Sequence, residues 1–377
     1  MGKDRLIVFA DDWGRHPSSA QHLVRYLLQD RAVSWVNTIG TRVPRLSVAV
    51  VRRGLEKLLQ WGHPPTQQPT THAAAPEICS PIMYPGFRTR WQRNLNAGLL
   101  ARFMRRRFAD LERAVIVSTI PIVADLPERL NVRRWVYYCV DDFSVWPGLD
   151  SSALRVLEQK FVSRADRVIA AGENLAARMR ALGREALVLP HGIDLEHWRG
   201  PGEPCNLLEG MPRPIVLFWG LIDRRLDVSA LRALNDRMHA GTIALVGPEQ
   251  DPDPALGSLS RLRRPGKAPY ESLPALASHA DVLLMPYADL PVTRAMQPLK
   301  LKEYLATDRP VVVTRLPAVA EWQDCLDIVD DPEQLAKAVI DRCAGGLPAA
   351  QSNARRRLEV ESWKNKSAYF ADALFGD

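Results

Sequence analysis

The stretch Met296-Gln297-Pro298-Leu299-Lys300-Leu301-Lys302-Glu303-Tyr304-Leu305-Ala306-Thr307-Asp308-Arg309-Pro310-Val311-Val312-Val313 reads as a turn, a short helix and a buried strand. Pro298 suits a first helical turn because it has no N–H to satisfy. Lys300 and Glu303 are three apart and so share one helical face. The start of a helix presents unpaired N–H groups and a positive dipole, a setting that favours phosphate. A lysine adds a point charge there, and a carboxylate accepts ribose hydroxyls. Pro310 ends the helix, and the apolar run Val311–Val313 follows. The same residues also suit an ordinary amphipathic helix before a core strand, so the flanking sequence has to decide.

Working outward, apolar runs alternate with helical patterns on both sides of this stretch. In the first half, strands are expected at Leu6–Ala10, Val115–Thr119, Trp135–Val140, Val168–Ala171 and Ala186–Leu189. Helices are expected at Ala20–Asp30, Leu154–Ala165 and Glu173–Leu182. Gly200–Pro204 and Met211–Pro214 bracket a Pro-rich linker. The alternation then restarts, with strands at Ile215–Trp219, Thr242–Val246, Asp281–Met285, Val311–Thr314 and Ile328–Asp330. Helices are expected at Ser229–Met238, Tyr270–Ser278, Pro332–Cys343 and Ala354–Ser362. Strand–helix alternation of this kind predicts parallel, doubly wound sheets, here two in succession. Gly62–Pro81 reads as a loop with little structure of its own.

At 377 residues, with 46% hydrophobic and 25% charged residues, the chain has the make-up of a two-domain globular protein. Leu6–Ala10 is too short for a signal segment, and no apolar run approaches a membrane span. The five cysteines (79, 139, 205, 325, 343) lack metal-ligand spacing and read as reduced residues. A cytoplasmic protein is expected. The net charge of +7 is unevenly spread: residues 1–200 hold 29 basic against 19 acidic side chains, and residues 201–377 hold 21 against 24. Between Arg42 and Arg107 there are twelve basic residues against Glu56 and Glu77 alone.

In an open parallel sheet, ligands sit outside the C-terminal strand ends. After the first strand comes Asp11-Asp12-Trp13-Gly14-Arg15-His16, which is no Gly-x-Gly-x-x-Gly fingerprint. Adjacent carboxylates at a strand end are costly to bury unpaired and so point to a cleft. A second acidic pair, Asp141-Asp142, follows Trp135–Val140. Either residue can be the base that deprotonates an acceptor hydroxyl, or can cap a turn and pair with an arginine. His16 and His191 fall in predicted cleft loops. In the second half Gly220 follows a strand and opens Leu221-Ile222-Asp223-Arg224-Arg225; Arg224 or Arg225 can meet a diphosphate opposite Lys300, or be a solvated helix start. Gly266 falls where a base-recognition loop is expected.

Taken together, the chain resembles GT-B glycosyltransferases of bacterial surface polysaccharide and glycolipid synthesis. Their second domain carries a Pro-x-Lys-x-x-Glu-Tyr-x-Ala-x-Gly-x-Pro-Val-Val type segment, matched by Pro298–Val312. Pro190-His191-Gly192-Ile193-Asp194 is similar to the family's Asn-Gly-Val-Asp, and Ala280–Tyr287 also fits. The resemblance implies an α/β GT-B fold: two Rossmann-like, doubly wound parallel-sheet domains facing a cleft. It divides the chain into an acceptor domain at 1–198, joined by a C-terminal helix 363–377, and a donor domain at 212–362. A nucleoside diphosphate sugar, expected to be a UDP-sugar, would be held by Gly220, Arg224, Arg225, Pro298, Leu299, Lys300 and Glu303. No metal and no permanently bound cofactor are implied.

Three departures shape the expectation. Ala295 stands eight positions before Glu303, where retaining members carry a first Glu; Asp308 replaces Gly; His191 replaces Asn. The missing Glu makes the chain resemble the xanthan-type glucuronosyltransferase branch. There a strand-end Asp of the first domain is the base of an inverting transfer, in a Val-Tyr-x-x-Ser-Asp setting that Val136–Asp141 matches. Asp12-Trp13 matches an Asp-aromatic pair in the first loop of those relatives. The implied function is hexosyl or uronosyl transfer to a lipid-linked or polysaccharide acceptor, with Asp141 as base, Asp142 and Asp12 as the next candidates, and Trp13, His16 and His191 on the acceptor side. The competing classes are a nucleotide-sugar epimerase of the same fold and a non-catalytic protein that binds sugar nucleotides or an anionic surface. A nucleic-acid binder would explain the charge but leave the donor motif without purpose.

The basic region also carries apolar residues: Leu46, Val50, Leu55, Leu58, Leu59 and Trp61, then Phe87, Trp91, Leu95, Leu99 and Phe103. Trp91, Leu95, Leu99 and Phe103 recur every four residues with Arg90, Arg93, Arg102 and Arg105 around them. Such a helix either lies in an anionic membrane surface or packs its stripe into the first domain's core. The first alternative predicts a peripheral protein on the inner face of the cell membrane.

Overall fold

The computed structural model describes residues 4–14, 18–38, 75–146 and 148–376. The chain divides into two compact units, Met1–Pro190 with Ser367–Asp377, and His191–Lys366.

The first unit is built on a seven-stranded, all-parallel sheet of β1 (Leu6–Ala10), β2 (Val33–Asn37), β3 (Glu77–Cys79), β4 (Val115–Ser118), β5 (Arg134–Cys139), β6 (Arg167–Ala170) and β7 (Leu187–Val188). Their spatial order is β3-β2-β1-β4-β5-β6-β7. β1 pairs with β2 on one side and β4 on the other, so the strand order reverses at β1/β4. Helices cover both faces, which is why the central strands are continuous buried apolar runs. The C-terminal segment returns here. Ser367 donates to the Leu23 carbonyl at 2.8 Å, and Phe370 packs on Tyr138. Arg134 and Arg167 donate to the carbonyls of Leu374, Ala373 and Gly376 at 2.7–3.0 Å, satisfying acceptors that a helix end leaves open.

The second unit repeats the plan with six parallel strands: β8 (Ile215–Trp219), β9 (Thr242–Val246), β10 (Leu262–Gly266), β11 (Val282–Met285), β12 (Val311–Thr314) and β13 (Asp327–Val329). Their order β10-β9-β8-β11-β12-β13 places the reversal at β8/β11. Residues 200–214, which read as a linker, are packed onto this unit: Glu203 N–H donates to Glu271, and a Cβ on Gly202 would come within 2.7 Å of Ala275 N. Gly192 is pressed on Trp363 so closely that a Cβ would stand 2.7 Å from its ring.

The strands at Leu6, Ile215, Thr242 and Val311 fall where expected. Three others escape the sequence reading. β3 lies inside the stretch read as a loop, and residues 62–74 of that stretch lie outside the described residues. β2 is a short, mixed Val-Ser-Trp-Val-Asn run. β10 is Leu-Arg-Arg-Pro-Gly, with two exposed arginines and a proline, a composition tolerated only at a sheet edge. The helix expected at Ala354–Ser362 is instead an α-turn over Ala349–Ala354 followed by 3₁₀ turns over Arg355–Glu361.

Candidate active site

In the second unit, three strand-end elements meet at the β8/β11 reversal, where an open sheet leaves a crevice for a ligand. β8 ends in Phe218-Trp219 and turns at Gly220, whose φ of 139° is glycine territory. A Cβ there would lie 2.1 Å from the Lys300 amine, so the bare backbone makes room for it. Gly247, at the end of neighbouring β9, packs on the Gly220 carbonyl in the same way. The Lys300 ammonium donates to the Tyr287 hydroxyl at 2.7 Å and sits 4.3 Å from the Phe218 ring centre.

Glu303 follows one turn later in the helix Lys300–Leu305. Its carboxylate accepts from the Trp219 indole at 3.2 Å, and the Trp219 backbone N–H donates to the Tyr304 hydroxyl at 3.1 Å. Burial pushes the Glu303 carboxyl up to about 7, against the pull of the Trp219 hydrogen bond and the Lys300 charge. Gly220, Lys300 and Glu303 are thus brought together, with an ammonium and a carboxylate at one strand end and the Gly220 N–H already bonded to the Val246 carbonyl at 2.9 Å.

The remaining donor candidates are placed differently. Arg225 is mostly buried, with Nε 3.0 Å from both Asp223 oxygens, so its charge is already balanced. Its guanidinium lies 5.8 Å from the Tyr287 ring centre, which keeps it beside the Lys300 partner. Arg224 is exposed and reaches Asp251 and Asp253 at 3.5 Å instead. Pro298 and Leu299 precede the helix rather than starting it: the helix begins at Lys300, with Leu299 at its cap. His191 is buried in this unit, its Nε2 3.1 Å from the Gln297 carbonyl. Its own carbonyl accepts from the buried Lys302, which also pairs with Glu361. His191 therefore braces the donor stretch. Tyr287 and Tyr304 lie inside the segments that carry the family resemblance, without a role of their own there, and Trp219 reads only as the end of a buried strand.

In the first unit, the loop after β1 is held by Trp35, whose indole donates to the Asp11 carbonyl at 2.9 Å and packs edge-on against Trp13 at 4.8 Å. Trp13 N–H donates to Asn37, and Gly14 N–H to Gln21. Asp12 is partly exposed in this loop; His16 lies outside the described residues. Asp141 and Asp142 follow β5 and have different surroundings. Asp142 is buried, accepts from Ser144 N–H and hydroxyl at 3.0 and 2.6 Å, and pairs with Arg178 Nε at 3.1 Å. Asp141 is partly exposed, and its carbonyl accepts from the Cys139 thiol at 3.6 Å. Among the described residues no cluster of three or more His, Cys, Asp or Glu side chains is arranged to hold a metal ion.

The amphipathic segment is the helix Arg90–Arg107. Its buried face is Asn96, Ala97, Leu100, Ala101 and Met104, not the stripe. Trp91 and Leu95 are 56% and 42% exposed, and Leu99 and Phe103 are partly buried. The stripe is therefore not the core-packing face. Arg90, Arg102 and Arg105 are exposed, whereas Arg93 turns toward Asp125 at 3.7 Å. The candidates from Leu46 to Trp61 lie outside the described residues. No described helix is long and apolar enough to cross a membrane.

These two units, each with its reversal at the first strand, are the architecture of the GT-B class. Residues 213–344 match the family model described as glycosyl transferases group 1. The match encloses β8 to β13 and every residue placed around Lys300 and Glu303. Over 236 residues the chain is 27% identical to the putative teichuronic acid biosynthesis glycosyltransferase TuaH of Bacillus subtilis (strain 168), covering 57% of this chain and 59% of that protein. The matched part thus spans about three fifths of that relative's length. Across nearly the whole chain the fold is similar to that of sucrose-phosphate synthase from Thermosynechococcus elongatus (TM-score 0.70, 16% identity, 98% of each chain). It is also similar to Anabaena Alr3699/HepE, solved in complex with UDP and glucose (TM-score 0.66, 15% identity, 100% of each chain). The chain has the GT-B fold.

Proposed function

We propose that this protein is a glycosyltransferase that moves a hexosyl or uronosyl group from a UDP-sugar to a lipid-linked or polysaccharide acceptor in surface polysaccharide synthesis. The observation that carries the reading is the meeting of Gly220, Lys300 and Glu303 at the β8/β11 reversal, inside the stretch that matches group 1 glycosyl transferases. Lys300 meets the diphosphate as a point charge. Glu303 accepts the ribose hydroxyls, and Gly220, by lacking a side chain, lets the Lys300 amine sit against the strand end. The UDP and glucose of the Anabaena structure and the teichuronic acid assignment of the Bacillus relative support this choice of donor and product class.

The chemistry is a displacement at the anomeric carbon. Asp141 takes the acceptor hydroxyl proton as the acceptor oxygen bonds to C1. The bond from C1 to the β-phosphate oxygen breaks, and the nucleoside diphosphate leaves with the electron pair, inverting the centre. Asp141 is assigned the base because it stands where the resemblance to the xanthan-type branch puts that residue, while Asp142 is held by Arg178 and Ser144. The test incubates the protein with a panel of UDP-hexoses and UDP-uronic acids and a bacterial lipid extract, following UDP release and labelled product. UDP release that depends on the extract supports transfer; release of an epimerised sugar nucleotide, or no turnover with any donor, overturns it.

The acceptor face is assigned to the helix Arg90–Arg107 and the segment 77–89 before it. Ile78, Ile82, Trp91 and Leu95 are exposed apolar side chains there, with Arg88, Arg90, Arg102, Arg105 and Arg106 exposed around them. Apolar anchors ringed by arginines suit an anionic bilayer carrying a lipid-linked acceptor, which supports a peripheral role at the inner membrane face. The protein is expected to float with anionic vesicles at low salt and to be released as salt screens the attraction. Replacing Trp91 and Leu95 by serine should weaken flotation severalfold without changing UDP binding. Equal flotation of the double variant, or none by the wild type, argues for a soluble acceptor.

A further inference from the structure

Glu158, on the helix Ser151–Arg164, is 4% exposed, and a buried carboxylate persists only when fully partnered. Three groups supply this, the weakest being the Cys139 thiol 3.9 Å from Oε1. The Tyr137 hydroxyl of β5 donates to Oε1 at 2.8 Å, and Arg178, from the helix Glu173–Ala181, donates Nη2 to Oε2. The same guanidinium turns its Nε to Asp142 at 3.1 Å, while Asp142 receives two further bonds from Ser144 at its other oxygen. Burial holds the Tyr137 phenol well above its ordinary range, so it stays a donor. One planar fork thus joins two carboxylates from different elements, a geometry the point charge of a lysine does not reproduce. The loop after β5 is pinned from below by β5 and both flanking helices.

We propose that Arg178 is a positioning residue for the transfer reaction: by clamping Asp142 to Glu158 it fixes the strand-end turn, leaving Asp141 as the carboxylate that meets the acceptor. The inference rests on the reading of Asp141 as base. Asp142, on this account, is an anchor with no proton to take, and the two adjacent acids divide anchoring and chemistry between them.

The test uses the full chain, with whichever UDP-sugar of the donor panel turns over fastest, and UDP as the binding probe. Arg178→Lys and Asp142→Asn should each lower kcat about tenfold or more, as displaced catalytic groups do. The donor KM and UDP affinity should stay unchanged, because those belong to the second unit. Amide exchange over residues 141–146 should quicken in both variants, since Ser144 N–H loses its fixed acceptor. Arg178→Gln should be at least as impaired as Arg178→Lys. If kcat and exchange are both at wild-type levels in Arg178→Lys and Asp142→Asn, the clamp is wrong. If kcat, UDP affinity and melting temperature fall together in both, Arg178 serves stability alone and the proposal is likewise overturned. Full activity of Asp141→Asn, or no turnover by the wild type, defeats the underlying reading instead, whatever the clamp variants do.

Discussion

Asp141→Asn is expected to cut turnover by about two or more orders of magnitude, the usual loss when a positioned general base is removed. UDP affinity should not change, because Asp141 follows β5 of the first unit while Lys300 and Glu303 belong to the second. The isosteric amide keeps the side-chain shape, so the loss reads chemistry rather than packing. Asp142→Asn makes the informative contrast. It removes a carboxylate held by Arg178 and Ser144, and should cost less than Asp141→Asn because the base itself remains. Product analysis gives a second readout: displacement by an acceptor that Asp141 deprotonates yields an inverted anomeric centre. A retained configuration, or an Asp141→Asn variant as active as wild type, would remove Asp141 from the chemistry.

What holds Asp142 was out of reach of the sequence because it depends on Arg178, 36 positions further on and in another helix. The donor residues were different. Lys300 and Glu303 lie one turn apart on a single short helix, and such local geometry follows from spacing alone. Their partners did not follow, because Trp219 reaches Glu303 across 84 positions and only the sheet order brings them together. The arginines after Gly220 were legible as charges but not as bound ones, since Asp223, Asp251 and Asp253 take them. The same limit applies to the helix Arg90–Arg107. Residues spaced by four advance about 40° beyond a full turn each time, so Trp91, Leu95, Leu99 and Phe103 wind from the exposed side toward the half-buried one. The buried face is the quieter set Asn96, Ala97, Leu100, Ala101 and Met104, two of them alanines and one an asparagine that carry little apolar signal. Strands buried on both faces were read well because continuous apolar runs have few other uses; β10 was not, because an edge position lets arginines and proline into a strand.

Affinity for UDP-glucose, or for the UDP-sugar that proves to be the donor, is expected to fall as pH drops below about 7. The physical cause is Glu303, whose carboxyl burial raises from an ordinary 4.5 to about 7. Ribose hydroxyls donate to the ionised form, so below about 7 the free protein must first lose a proton. Each pH unit below about 7 then costs roughly tenfold in affinity, equal to about 1.4 kcal/mol, and above it the affinity levels off. A sugar nucleotide is the right probe because UDP carries a terminal phosphate that itself titrates near 6, by analogy with other phosphomonoesters. Glu303→Gln should bind more weakly at pH 8, by about 1.5–3 kcal/mol for lost charge-assisted bonds, and with no step near 7. Lys300→Ala should move the step upward, because the lysine charge favours the carboxylate. The linkage to folding has the opposite sense to that of an ordinary salt-bridged acid. Between about 4.5 and 7 the native state holds a proton that the unfolded chain has released, so the unliganded second unit loses stability as pH rises through this window. A bound donor that engages the carboxylate offsets that loss, so the stabilisation by ligand should grow over the same range in which the free protein weakens. Calorimetric affinities and melting temperatures between pH 5.5 and 8, in the wild type and both variants, check the three signs together. An affinity flat with pH in the wild type, or a step that survives in Glu303→Gln, would show that Glu303 does not carry the ribose.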